Sequence, residues 1–86
     1  VKIQIIGPER DPTFQKLLQN ILHAIHEMQI DATVNEITNL QEISDYPLTL
    51  YPAVYINGKL VCQGKCITLQ QVKECLAKSF QDEKSN

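Results

Sequence analysis

The sequence predicts a single α/β domain of order β-α-β-α-β-β-α, with a four-stranded mixed sheet flanked by helices. Three observations predict it. A helix-period apolar stripe lies between two strand-like runs, Asn57-Gly58 sits between two short β-prone segments, and a capping box opens a final amphipathic stretch. A chain of 86 residues holds one core only, because domains span ~50–200 residues. The domain is expected over residues 1–80, with a polar C-terminal tail at 81–86.

Lys2-Ile3-Gln4-Ile5-Ile6 alternates and then runs apolar into Gly7-Pro8, as a strand entering a loop does. Asp11-Pro12 follows: a side chain that caps a helix, then a ring whose fixed φ and missing N–H suit the first helical position. From Phe14, the positions Leu17, Leu18, Ile21, Leu22, Ile25 and Met28 recur at three- and four-residue steps and predict a buried stripe about four turns long. Ile30, Ala32 and Val34 then alternate with Asp31, Thr33 and Asn35, which predicts a second strand from Ile30 with one wet face. A helix between two such strands implies a parallel, right-handed crossover.

Leu40, Ile43 and Tyr46 keep a helical period until Pro47, predicting a short helix that ends at about Asp45. Asn57-Gly58 predicts a two-residue hairpin, since a type I′ turn needs positive φ twice. Extending the register from Ile56 opposite Lys59 places Val54 opposite Val61 and Ala53 opposite Cys62. Thr68 with Gln71 forms the capping box of the last helix, whose stripe is Leu69, Val72, Leu76 and Phe80. No internal repeat and no linker interrupts this order.

Composition narrows the functional classes. Eight basic and ten acidic residues give a net charge of -2, which argues against a nucleic-acid partner gripped through its phosphates. No apolar run approaches the ~20 residues needed to span a bilayer, so a soluble, cytoplasmic protein with no membrane partner is expected. Three cysteines, an odd number, disfavour a secreted disulfide scaffold. His23 and His26 fall opposite the apolar stripe, with no cysteine or carboxylate cluster beside them in sequence; they read as a solvated helix face, and no metal or cofactor is expected.

The wording of the segments carries more than their order. Lys2-Ile3-Gln4-Ile5, Ile30-Asp31-Ala32, Tyr51-Pro52-Ala53, Ile56-Asn57-Gly58-Lys59 and Gly64-Lys65, at these spacings, resemble the thioredoxin-like superfamily, in particular its small redox-active disulfide proteins. The likeness covers Lys2 to Phe80. It implies the thioredoxin-like fold, a cis Tyr51-Pro52 bond, and a groove beside it for an extended peptide or a glutathione-like ligand. It also implies a Cys-x-x-Cys between the first strand and first helix, where this chain reads Arg10-Asp11-Pro12-Thr13. Pro12 matches the proline common at the third slot, so Arg10 takes the place of the attacking cysteine and Thr13 that of the resolving one. Both sulfurs are missing.

What that turn retains is a helix N-terminus and a guanidinium, suited to an anion. Against this, Asp11 caps the helix, and Arg10 has Asp11 and Glu9 beside it to pair with. The leading expectation is therefore a non-catalytic binding or interaction module. Its groove would be formed by Arg10, Asp11, Pro12, Thr13, Tyr51 and Pro52, and its partner would be an extended peptide, a protein, or a small anionic or thiol ligand. The alternative is a thiol-disulfide oxidoreductase or glutathione-type redox protein using Cys66, with or without Cys62. Cys66 is expected in a loop rimming the groove, while Cys62 reads as a small buried hydrophobe and Cys75 as a structural residue on the flank of the last helix. A third reading is a homodimer joined through an edge strand or the second helix.

Overall fold

The computed structural model describes residues 1–47 and 50–84, residues 80–84 by their backbone alone. The elements are β1 (Lys2–Ile6), α1 (Pro12–Met28), β2 (Thr33–Ile37), α2 (Leu40–Ser44), β3 (Ala53–Ile56), β4 (Lys59–Gln63) and α3 (Leu69–Lys84). The strands lie in the order β2-β1-β3-β4. β1 runs parallel to β2 and antiparallel to β3, and β3 is antiparallel to β4, so the sheet is mixed as the crossover and the hairpin require.

Alternation along β1 divides its side chains between two layers. Ile3 and Ile5, with Val54, Ile56 and Cys62, meet Phe14, Leu17, Ile21 and Ala24 of α1 and Val72 and Leu76 of α3. On the other side Ile6 joins Ile37 and Ile43, against which Tyr46, Tyr51 and Tyr55 pack. α1 and α3 thus cover one face and the short α2 the other. Burying each Ile or Leu of the larger layer contributes about 1.5–3 kcal/mol, so that layer holds most of the stabilisation. Gln4, on the α2 face, donates its side-chain amide to the Tyr46 hydroxyl at 3.0 Å, and the Tyr46 and Tyr55 rings lie 5.5 Å apart.

Several expectations need correction. Leu22 is 49% exposed and Leu40 80%. At 100° per residue Leu22 falls roughly 100° from the middle of the stripe, while Ala24, which the larger apolar residues overshadow in the pattern, lies inside it and is fully buried. The second strand begins at Thr33 rather than Ile30. Gln29 turns left-handed at φ 52°, and the Ile30 N–H is committed to the Ile25 carbonyl at the end of α1.

The hairpin turn has positive φ at Asn57 and Gly58, but the register holds only through Tyr55 opposite Leu60. Beyond it a bulge at Val61 places Val54 opposite Cys62 and Ala53 opposite Gln63. Two residues share the place of one, so Val61 and Cys62 both reach the face covered by α3. The Thr68–Gln71 capping box is formed, the Thr68 N–H donating to Gln71 Oε1 at 2.9 Å and the Gln71 N–H to Thr68 Oγ1 at 3.2 Å. α3 continues to Lys84, so the backbone from 81 to 84 is helical where a tail was expected. The side chain of Phe80 and residues 85 and 86 lie outside the described part.

Candidate functional site

Of the residues singled out from sequence, Arg10, Asp11, Pro12 and Thr13 and the pair Tyr51-Pro52 lie at the C-terminal end of β1, while Cys62 and Cys66 do not. Gly7 leaves the sheet with its N–H on the Ile37 carbonyl at 3.1 Å, and the chain turns through Pro8–Asp11, closed by the Asp11 N–H on the Pro8 carbonyl at 3.1 Å. Asp11 then caps α1, its carboxylate accepting the Thr13 N–H at 3.0 Å, with Pro12 at the first helical position.

From the other side comes Tyr51-Pro52, joined by a cis peptide bond, with the Pro52 ring fully buried and Tyr51 half-buried. Gly7 is where the two meet: a methyl group placed on it would stand 3.2 Å from Phe14 Cδ2 and 3.2 Å from the Pro52 Cα. Glycine lets the first turn of α1 and the proline bend close on the same stretch of backbone without either having to give by the few tenths of an ångström that a side chain there would demand. The Pro52 carbonyl accepts the Gly64 N–H at 2.8 Å, which ties the far end of β4 to the same corner.

Two residues that the sequence pattern did not single out help build this corner. Phe14, expected only as a core residue, wedges the start of α1 against Gly7. Leu50, 55% exposed, leans across Gly64 and adds an apolar flank beside Tyr51. An apolar side chain left in water next to a bend is a signal that burial alone reveals.

The electrostatics are mixed. Arg10 is exposed, and among the described residues it forms no ion pair with Glu9 or Asp11. The Asp11 carboxylate is occupied with the Thr13 N–H instead. Its negative charge sits at the start of α1 and offsets the positive end of the helix dipole, so the turn combines an exposed cation with a partly satisfied helix end. Gln15 steadies the turn by donating its side-chain amide to the Glu9 carbonyl at 3.2 Å.

The cysteines lie apart from this turn. Cys62 is buried beneath α3, and burial, with the neighbouring Cys75, pushes its thiol up to about 11. Cys66 is exposed, but its sulfur lies 3.8 Å from the Asn20 amide and 3.6 Å from the Ile67 carbonyl. Asn20 is seven residues along α1 from Thr13, about 10 Å of helix rise, so Cys66 sits against the flank of α1 rather than on the rim near Tyr51 as expected. Asn20 also donates to the Ile67 carbonyl at 2.8 Å, which anchors the Cys66 loop at that position. Cys75, half-buried, is a free thiol on α3.

His23 pairs with Glu27 at 2.9 Å, and Glu27 with Lys73 of α3, so one of the two helix histidines belongs to a clamp between α1 and α3. Among the described residues no three His, Cys, Asp or Glu side chains cluster as metal ligands. Nor is any helix among them long and apolar enough to cross a membrane.

Comparison with known proteins agrees with this architecture. The family model described as a thioredoxin domain matches residues 1–77. A thioredoxin of Methanothermobacter thermautotrophicus (strain Delta H) is 30% identical over 77 residues, covering 90% of this chain and 99% of that protein. A thioredoxin of Methanocaldococcus jannaschii is 29% identical over 63 residues, covering 73% of this chain and 72% of that protein. No solved structure matches the chain.

Proposed function

We propose that this chain, which belongs to the thioredoxin domain family, is a binding module without dithiol chemistry, holding an extended protein segment in the groove between Arg10–Thr13 and Tyr51–Pro52. The observation that carries the reading is the chemistry of the turn before α1. Dithiol exchange needs a thiolate at a helix N-terminus, where N–H groups and the dipole lower its pKa, and a second thiol to release the mixed disulfide. Arg10 has no nucleophile, and Thr13 brings a hydroxyl rather than a thiol, with its backbone N–H on the Asp11 carboxylate. The Asp11 charge weighs against a purely anionic ligand, while the Arg10 guanidinium and the Leu50 flank suit a peptide carrying an acidic and an apolar side chain. Three free thiols accord with a cytoplasmic setting.

Insulin-disulfide reduction with dithiothreitol as donor tests the loss of chemistry: no rate above background is expected. A clear rate that vanishes in Cys66→Ser refutes it.

The exposure of Cys66 favours a second reading, a redox protein that works through this thiol alone. Cys62 is a poor partner for it, buried and with its thiol raised to about 11. Alkylation of Cys66 at graded pH separates the two readings. A rate no faster than that of a free thiol, with no Cys62–Cys66 bridge under mild oxidant, removes the redox reading.

A further inference from the structure

The turn before α1 holds no sulfur, yet β4 and α3 bring two thiols to one packed layer. The bulge at Val61 turns Cys62 toward α3, where it joins the core cluster of Val72 and Leu76. Cys75 lies between those two residues along α3 and packs, half-buried, against the same cluster. Cys75 and Val61 also line one cavity of about 360 Å³ between β4 and α3. Cys75 therefore stands on the side of α3 turned to β4, beside the strand residue that precedes Cys62.

The two thiols differ in access. Cys62 is 7% exposed, whereas Cys75 is open in part to solvent, so an oxidant meets Cys75 first and finds Cys62 behind it. The charges agree with this placement, since Cys75 acts on Cys62 more strongly than Cys66 does. The Cys66 sulfur is held 3.8 Å from the Asn20 amide on the flank of α1 and is no member of the cluster.

We propose that Cys62 and Cys75 are a peroxide-sensitive pair whose disulfide pins α3 to β4. The Cys75 sulfur attacks one oxygen of hydrogen peroxide and the O–O bond breaks, giving a sulfenic acid and one water. The Cys62 sulfur then attacks the sulfenic sulfur. The S–S bond forms as the S–O bond breaks, and the Cys62 proton leaves with the hydroxide as a second water. Two thiols give up two electrons, and one peroxide takes them. A disulfide holds its two Cα atoms ~4.4–6.8 Å apart, so the bond fixes the spacing of α3 over β4. The pair uses neither Cys66 nor the groove at Tyr51–Pro52, so it can fail without the function proposed above failing with it.

The test treats the native protein with hydrogen peroxide, blocks the remaining thiols with N-ethylmaleimide and maps the digest by mass spectrometry without reduction. Trypsin cuts after Lys59, Lys65, Lys73 and Lys78, which leaves each cysteine on its own peptide. The expected product joins the Cys62 peptide to the Cys75 peptide, in Cys66→Ser as in the parent chain. The oxidised protein should also unfold at a higher urea concentration than the reduced one. In Cys75→Ser, Cys62 should stay a thiol under the same treatment. A Cys62–Cys66 or Cys66–Cys75 bridge in its place, Cys75 left reduced or carried to sulfinic acid beside a reduced Cys62, a bridge that forms only in urea, or a urea midpoint lowered by oxidation would overturn the proposal.

Discussion

Cys62 stands opposite Val54 across the hairpin, one place out of step with the count from the Asn57-Gly58 turn. The bulge at Val61 turns its sulfur into the core under α3, where it is 7% exposed and its thiol is raised to about 11. At pH 8 roughly one part in a thousand is thiolate, on the ordinary titration relation. Iodoacetamide at that pH should therefore label Cys66 within the folded protein and Cys62 only after urea is added. Peptide mapping by mass spectrometry reads this directly, and equal labelling of both thiols in the native state would contradict the bulged register.

Gly64 holds the corner where β4 leaves the sheet. Its φ is +77°, and a methyl group there would meet Leu50 Cβ at 2.9 Å. Gly64→Ala should destabilise the protein by about 1–2 kcal/mol from the left-handed backbone alone, with more from the contact. Leu50→Gly in the same chain, which removes the Cβ as well, should return the contact part and leave the backbone part. Urea denaturation of the two single variants and the double variant checks the partition.

The cap on α1 gives a third expectation. Asp11→Ala removes the acceptor of the Thr13 N–H and should cost about 1 kcal/mol in chemical denaturation, whereas Asp11→Asn should cost much less because its side-chain oxygen still accepts. The two variants differ in purpose as well. If the Asp11 charge opposes anions at this turn, Asp11→Asn should bind an acidic peptide more tightly than the parent chain does.

Glu27 links stability to pH. Its hydrogen bond and ion pair with Lys73, followed by the nearby His23, hold its carboxyl below the ordinary carboxylate range. A depressed folded value means that the clamp stabilises the protein above the pKa of the unfolded chain and is lost as pH falls through the folded one. The stability difference between the parent and Glu27→Gln should therefore be present near neutral pH and shrink toward zero in acid. Urea midpoints from pH 3 to 7 measure it; a difference that grows on acidification would have the wrong sign.

The division between what could be read early and what could not follows the range of the interactions. Asp11 before Pro12, Thr68 before Gln71 and Asn57 before Gly58 each act on neighbours within three residues, and each forms the predicted cap or turn. The stripe of α1 also showed its period, because the helix repeats one geometry along its length. Its edge was less legible: Leu22 and Ala24 change places in burial, since how far a face wraps depends on the width of the partner packed against it.

By itself, then, the sequence determined the element order, the caps, the hairpin turn, the thioredoxin-like family and the absence of cysteine between β1 and α1. These rest on local backbone geometry and on residue identity. Only the tertiary structure decided the Val61 bulge, the seating of Cys66 against Asn20, the closure of Gly7 on both Phe14 and Pro52, and the cavity between β4 and α3. Each of those joins segments distant along the chain, and close packing selects among arrangements that local pattern leaves equal in energy.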